Sequence, residues 1–476
     1  MTPPVSQRRV PIRGKRTAAR AVWDCVVSIV AGVSRGLLPA DRAPTRPPIV
    51  GSRRTCGHHG SARVWLPSSP ATSLTARVGL CVCLWLGMAT GLGAQESGAL
   101  LLDPASAGFD PRVFDDIAPR VERAIADRQL PGCVIACGRS GGLVYLQAFG
   151  NRAVEPDRVP MTVDTVFDLA SLTKPIATAT SIHLLAERGR LALTDPVARH
   201  LPGFEQRGKH DLTVLDLLTH RSGLLADNAL ADYQHGPEES LRRICALGLK
   251  APRGSRFIYS DVNYIVLGEV VQRVAGESLA EFTSRELFEP LQMATTGYRP
   301  GPELRTRTAP TTRREGKWIV GDVHDPRAHL LDGVAGHAGL FSTASDLARF
   351  ARCLLSGGSL EGRQLLRPET VATLTAGHAI PGATPGSSVW RTAGWDRQSG
   401  YSINRGVGFG PRAFGHGGFT GTVLWIDPDR DLFCVFLSNR VHPDGKGSVN
   451  RLAGELGTIF ARALGERPPA PDPSSP

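Results

Sequence analysis

Ser171 and Lys174 stand three residues apart in the run Phe167-Asp168-Leu169-Ala170-Ser171-Leu172-Thr173-Lys174-Pro175, a spacing that sets a hydroxyl and an amine on one face if the run is helical. The two are then about 4.5 Å apart along the axis at ~1.5 Å per residue, within reach of a lysine side chain. A hydroxyl so paired can act as a nucleophile with the amine as its base. Lysine suits that task because burial pulls its pKa toward neutrality, whereas arginine stays charged. Only six of the 55 basic residues are lysines (Lys15, Lys174, Lys209, Lys250, Lys317 and Lys446), so a plain surface cation at 174 would more often have been arginine. Two further groups stand where chemistry could use them: Tyr259 in Phe257-Ile258-Tyr259-Ser260-Asp261, and His416 in Phe414-Gly415-His416-Gly417-Gly418-Phe419-Thr420-Gly421. A histidine among glycines lets a backbone approach closely and present its N–H groups. Taken singly, each pattern also has a plain structural explanation: a helix cap, a snorkelling lysine, a buried tyrosine, a glycine-rich strand bend.

The elements that must hold these groups can be read in outline. Pro175 is tolerated only in the first turn of a helix, which predicts a helix beginning near Ala170 or Ser171 and stopping at Gly189. Its residues Ile176, Ala177, Ala179, Ile182, Leu184, Leu185 and Ala186 are apolar nearly all round, so it is expected to be buried. Its N-terminus offers unpaired N–H groups to a developing oxyanion. Before it, the sequence predicts a helix over Phe114 to Arg128 and two strands, Cys133 to Cys137 and Leu143 to Phe149, across the turn at Ser140-Gly141-Gly142. After it come helical stretches at Val214 to His220, Glu238 to Ala246, Val262 to Ala275 and Leu279 to Phe288, the third capped by Ser260 or Asp261. A further helix follows Thr343 or Ser345. Residues 405 to 438 are strand-like, with a hairpin at Thr422 to Leu437, and a last helix covers Val449 to Leu464. Strands at both ends with helices between predict an α+β fold: one sheet completed by distant segments, with a helical region inserted. No internal repeat is present.

Charge separates the chain into two parts. Residues 1–94 carry 13 Lys/Arg and 2 Asp/Glu, a net of +11 that equals the whole-chain value; residues 95–476 hold 42 of each sign. The folded part is therefore neutral, and no basic face or motif points to nucleic acid. Residues 1–76, rich in Arg, Pro, Ser and Gly, are expected to be a disordered or mis-assigned leader. Residues 77–94, Arg77 followed by an apolar run ending in small residues, have the shape of a signal peptide cleaved after Ala94, too short for a comfortable span. The expectation is a periplasmic or secreted protein that touches a membrane only through this segment if it stays uncleaved.

Nine cysteines are present (Cys25, Cys56, Cys81, Cys83, Cys133, Cys137, Cys245, Cys353, Cys434), five of them after the leader, so these five cannot all pair internally. Cys133 and Cys137 on one strand are ~13 Å apart at ~3.3 Å per residue, too far for a disulfide. Cys-x-x-Cys and His-Glu-x-x-His are both absent, so no metal and no cofactor is expected. His220 reads as a residue at a helix C-terminus near Gly223, and His337 carries no signal of its own.

In this order and at these intervals, Ser171-x-x-Lys174, Tyr259-Ser260-Asp261 and His416-Gly417-Gly418 resemble the three signature elements of the serine β-lactamase and penicillin-binding protein superfamily, in particular its class C-like branch with esterases and D-peptidases. Leu217-Leu-Thr-His-Arg-Ser-Gly-Leu224 and Leu437-Ser-Asn-Arg-Val-His442 support the likeness, which covers about residues 110 to 465. It implies an antiparallel sheet flanked by terminal helices plus an inserted helical lobe, in a domain over 105–465 before a Pro-rich tail at 466–476. It also implies that Ser171 attacks a carbonyl, that Lys174 and Tyr259 share the proton work, and that the N–H groups of Ser171 and Phe419 form an oxyanion hole, with Asp261, His416, Gly417 and Gly418 on the substrate side. Two departures matter: Asp261 stands where many relatives have asparagine, and His416 where β-lactamases usually have lysine. A neutral histidine gives up the cation that would hold a substrate carboxylate, which turns the expectation from β-lactams toward esters. The function expected is an exported serine hydrolase working through an acyl-enzyme on a small-molecule ester, an amide or a peptidoglycan-like substrate. The alternative is a catalytically weak protein of the same fold that binds peptidoglycan or a peptide, which would have no chemical need for Ser171, Lys174 and Tyr259 together.

Overall fold

The computed structural model describes residues 101–382 and 386–465. The leader, the signal segment, the Pro-rich tail and the first four cysteines lie outside the described residues.

The strongest element is the hairpin of β1 (Gly132–Arg139) and β2 (Gly142–Ala153), joined across the expected turn. The edge strand β3 (Val159–Pro160) follows it. The other six strands of the sheet come from the far end of the chain: β4 (His378–Pro381), β5 (Ser388–Arg391), β6 (Asp396–Gln398), β7 (Phe414–Gly418), β8 (Thr422–Asp427) and β9 (Leu432–Ser438). The order is β4-β5-β6-β7-β8-β9-β1-β2-β3, and every pair is antiparallel. The α+β expectation thus holds, with the sheet closed where β1 meets β9 in the register Cys133↔Ser438 to Gly138↔Phe433.

β1 explains its own sequence. It is central and covered on both faces, so its residues are apolar without alternation. Cys133, Ile135 and Cys137 pack into one core with Ile117, Val121 and Phe460, while Val134 and Ala136 pack into the other. The first of these cores lies under two terminal helices, α1 (Ile117–Ala126) and, at the chain's other end, α6 (Asn450–Ala463). The second carries the helical region: α2 (Thr180–Glu187), α3 (Val214–Leu218), α4 (Asp261–Ala275) and α5 (Ala344–Leu355). The five described cysteines are all free, four of them buried. Cys133 and Cys137 are core residues on one face, as their spacing required.

Three corrections concern local structure. The expected helix over Phe114–Arg128 begins as a 3-10 turn at Pro111–Asp116, capped by Asp110, and turns α-helical only at Ile117. Residues 405–413, read as strand-like, form no strand; that part of the sheet is built instead by β4 to β6, which at three or four residues each are too short to show an alternation. The helix after Ser171 is not uniform. It runs as a 3-10 turn (Ala170–Leu172), a π segment (Lys174–Ala179) and then α2. Pro175 lacks an N–H and its ring crowds the carbonyl one turn earlier, so the ladder widens there, as π turns often do at functional sites.

Candidate active site

The Ser171 segment is built as a clamp. Phe167–Asp168 pairs as a short strand with Leu340–Ser342, and the Leu169 N–H donates to Leu340 O at 2.9 Å. The chain then turns at Ala170 with φ +46°, a left-handed conformation that costs an alanine ~1–2 kcal/mol. The turn is held because the Ala170 N–H donates to Asp168 Oδ1 at 2.8 Å. Asp168 Oδ2 accepts from the His324 N–H at 2.7 Å, which ties the same carboxylate to a second loop. Two hydroxyls from the β7–β8 turn complete the clamp: Thr420 donates to Asp168 O at 2.7 Å and Thr422 to Leu169 O at 2.9 Å. Gly418 is required at this contact, since a Cβ there would sit 2.3 Å from the Leu169 carbonyl oxygen. These bonds bring Phe419, 43% exposed, beside the Ser171 segment.

Asp168 is 3% exposed, and burial pushes its carboxyl up to about 6 against the pull of its two N–H bonds. Its folded-state value lies above the ordinary 3.8, so its contribution to stability is whole below about pH 4 and is lost as pH rises through 6. We expect wild type to lose roughly 2–3 kcal/mol relative to Asp168→Asn across that window, at ~1.4 kcal/mol per unit. Melting curves from pH 3 to 8 check this; parallel curves for the two proteins would refute it.

Lys174 is fully buried. Its ammonium donates to Ser171 Oγ at 2.9 Å and to the His337 carbonyl at 3.0 Å, and it pairs as an ion with Asp261 Oδ1 at 2.7 Å, a contact whose angle is not that of a hydrogen bond. The reach expected from the i, i+3 spacing is therefore realised. The expected depression of its pKa is not: burial does pull it down, but the Asp261 charge and the Tyr259 oxygen outweigh burial, and the net shift is upward.

Tyr259 sits above this amine, Lys174 Nζ being 5.1 Å from its ring centre. Its hydroxyl lies against Ser171; burial raises its pKa and the Lys174 charge works the other way. The ring is held between His220 and Tyr401 in tilted contacts, at 4.6 Å and 5.1 Å between centroids. His220 is more than a helix end. It turns at φ +58°, its carbonyl accepts the Ile258 N–H at 3.0 Å and its Nδ1 accepts the Ser260 N–H at 3.0 Å, so one residue grips the backbone on both sides of Tyr259. Ser260 caps α4, its hydroxyl accepting from the Asn263 N–H at 3.2 Å, and Asp261 is the first helical residue.

His416, on β7, is 5% exposed. Its Nδ1 lies 2.8 Å from Gly417 O and so carries the proton, leaving a lone pair on Nε2. Burial and the charges of Arg391 and Lys174 hold its pKa well below the ordinary imidazole value. Arg391 is itself fully buried and pairs with Asp396 at 3.4 Å.

The structure thus gathers Ser171, Lys174, Tyr259, Asp261 and His416 into one pocket, with Gly417, Gly418 and Phe419 at its edge. Asp261, expected on the substrate side, lies on Lys174. His337, discounted in the sequence, contributes its carbonyl to Lys174 and sets its ring Nε2 2.9 Å from Asp325 Oδ1. Asp261, Asp325 and His337 bring ligand-type atoms within 4.8 Å of one another, yet Asp261 is committed to the Lys174 ammonium and Asp325 to His337. The sequence offered His220 and His337 only as less convincing candidates, and Asp325 not at all.

Comparison with known proteins agrees with this geometry. The family model described as Beta-lactamase matches residues 117–458. The N-acetylmuramyl-L-alanine amidase of Bacillus subtilis (strain 168) is 30% identical over 392 residues, covering 73% of this chain and 87% of that protein. Among solved structures, a class C beta-lactamase superposes with a TM-score of 0.61 at 17% identity, covering 75% of this chain and 98% of its own. A family VIII carboxylesterase does so with a TM-score of 0.58 at 20% identity, covering 73% and 97%. At those identities the two structures establish the fold.

Proposed function

This chain belongs to the beta-lactamase family and is a serine hydrolase by that kinship, and we propose that it cleaves a carboxylic ester or amide through an acyl-enzyme on Ser171, with esters turned over better than β-lactams. The observation that carries this is the Lys174 ammonium 2.9 Å from Ser171 Oγ with the Tyr259 hydroxyl against the same oxygen. A protein that only binds has no need to bury a charged amine against a hydroxyl, a placement costing several kcal/mol unless it is paired.

In this reading Ser171 Oγ attacks the carbonyl carbon, and the oxyanion is received by the N–H groups of Ser171 and Phe419 at the clamp described above. Tyr259 and Lys174 take the serine proton and return it to the leaving group, and water then hydrolyses the acyl-enzyme with the same groups. His416, neutral and donating to a carbonyl, offers no cation to a substrate carboxylate, which favours esters or amides without one. The amidase name of the Bacillus subtilis relative favours a second substrate reading, an amide of cell-wall origin. Export through residues 77–94 fits such a substrate, and a mature chain starting at Gln95 is the outcome expected from N-terminal sequencing; one retaining Met1 would refute it.

A fluorophosphonate probe tests the acyl-enzyme reading. We expect one covalent adduct, located by mass on the peptide holding Ser171 and lost in Ser171→Ala. Labelling that survives that substitution would sink the assignment.

A further inference from the structure

An ammonium has no lone pair, so Lys174 cannot receive the Ser171 proton until it has given one away. Of its three contacts, Ser171 Oγ is the donor to be activated and the His337 carbonyl is not a base. The third, Asp261 Oδ1 at 2.7 Å, is a carboxylate. An asparagine at that position would accept a hydrogen bond through its amide oxygen but would not take a proton.

We propose that Asp261 stores the lysine's proton: as substrate covers the pocket, one proton passes from Lys174 Nζ to Asp261 Oδ1, and the freed amine lone pair takes the proton of Ser171. This rests on the acyl-enzyme reading. The bonds balance. The Nζ–H bond to the shared proton breaks and an O–H bond forms on Asp261; the Ser171 O–H bond breaks, a new N–H bond forms on Lys174, and Oγ bonds to the carbonyl carbon while the π pair moves to the oxygen. On collapse the leaving oxygen or nitrogen departs with the scissile pair and takes a proton from Lys174, directly or through the Tyr259 hydroxyl, which gives up its proton and takes one from Lys174; Asp261 then returns its own to the freed amine.

Substrate binding is the natural trigger. Lys174 is dry, but the Asp261 side chain is 21% exposed, and water there favours the ion pair. Covering it removes that solvation and brings the neutral amine–acid pair closer in energy. Asp261 acts through Lys174 and is a positioning residue, distinct from the catalytic serine and lysine. Other ionisable groups face the pair from each side. Tyr259 and Tyr264 lie over the amine, and His220 and His416 stand behind it with Arg391 beyond them. Asp227 lies beside Asp261, with the Asp325–His337 pair and Arg327 next to it.

The test is the pH dependence of the second-order rate of Ser171 phosphonylation in wild type, Asp261→Asn and Asp261→Glu. With the store in place the reactive form holds one proton on the pair, and the rate falls only where a second is added. Without it the reactive form needs a neutral Lys174, so the acid limb of Asp261→Asn is expected at least about two pH units higher. Its rate is then about 100-fold lower at pH 6 but within about 10-fold of wild type at pH 9, two units being a factor of 100 in the reactive fraction. Asp261→Glu should keep the low limb. An unmoved limb in Asp261→Asn, a higher rate than wild type at pH 6, or a Glu variant that behaves as Asn overturns the proposal. If Asp261→Asn melts below the assay temperature, Asp261→Ser reads the same limb. The absence of any wild-type adduct on Ser171 would instead overturn the acyl-enzyme reading, so the two failures are distinct.

Discussion

Lys174→Ala is expected to slow acylation of Ser171 by ~10²–10⁴, the usual effect of removing a general base, and to lower stability as well. The two losses have different origins. The kinetic one follows from the 2.9 Å contact with Ser171 Oγ; the thermodynamic one follows from Asp261, which loses the counter-ion 2.7 Å away. Breaking a buried pair costs about 3–5 kcal/mol, and the loss here should fall at or below the low end because a fifth of the Asp261 side chain meets solvent. A double-mutant cycle separates them. Lys174→Ala/Asp261→Asn should regain much of the melting temperature, because no carboxylate is left uncompensated, while its acylation rate stays as low as that of the single variant. A Lys174→Ala protein that acylates at a near-normal rate would mean another group takes the serine proton, and a double variant no more stable than the single one would mean the pair is not what Lys174 stabilises.

The clamp around Ser171 shows why so much of the fold converges on a few atoms. Asp168 binds the Ala170 turn and the His324 loop, Thr420 and Thr422 bind the carbonyls on either side of Leu169, and Thr178 Oγ1 donates to Gly336 O at 2.7 Å beside the His337 carbonyl. The lysine contacts and the β7–β8 turn are thus set by backbone anchors from segments 156 to 253 residues away in sequence. That arrangement fixes the reacting groups on rigid elements, where small errors in position are most costly.

Much of this was legible in the chain. Pro175 and the apolar run after it located the helix start, and the strand patterns at both ends required one shared sheet, because each hairpin alone leaves a face uncovered. The scarcity of lysine also carried information: besides Lys174, Lys209 is fully buried, with its ammonium on the carbonyls of Gln206, Cys245 and Leu247. What could not be read depends on long-range pairing. Strands β4 to β6 are only three or four residues long and gain their order from pairing on toward β7, which a window of sequence does not contain. The sign of the Lys174 shift was missed because periodicity gives burial but not the identity of the charge across the pocket; Asp261 lies 87 residues on. His220 gave no chemical signal because its grip on Tyr259 uses a positive φ and two backbone N–H groups, neither of which its residue type announces.

His416→Lys is the second large effect, and here the structure sharpens an argument from residue type. Lysine at this position would offer a cation to a substrate carboxylate, but in this pocket it would join Lys174 and the fully buried Arg391, whose charges already hold the imidazole neutral. Among the described residues the carboxylate paired with Arg391 is Asp396 at 3.4 Å, so a further buried ammonium has little to pair with, and an unpaired charge costs several kcal/mol. We expect the lysine variant to melt well below wild type and to gain little on a carboxylate-bearing substrate. His416→Gln, uncharged, should keep most of the stability and the same substrate order. The measurement is kcat/KM for a p-nitrophenyl ester and for a chromogenic cephalosporin in all three proteins, together with their melting temperatures. Wild type should prefer the ester, by the lack of a cation rather than by the lack of space. A wild type that prefers the cephalosporin would overturn the ester reading. A stable lysine variant with a large gain on the cephalosporin would show that Arg391 and Lys174 do not crowd this position with positive charge, and that His416 alone sets the preference.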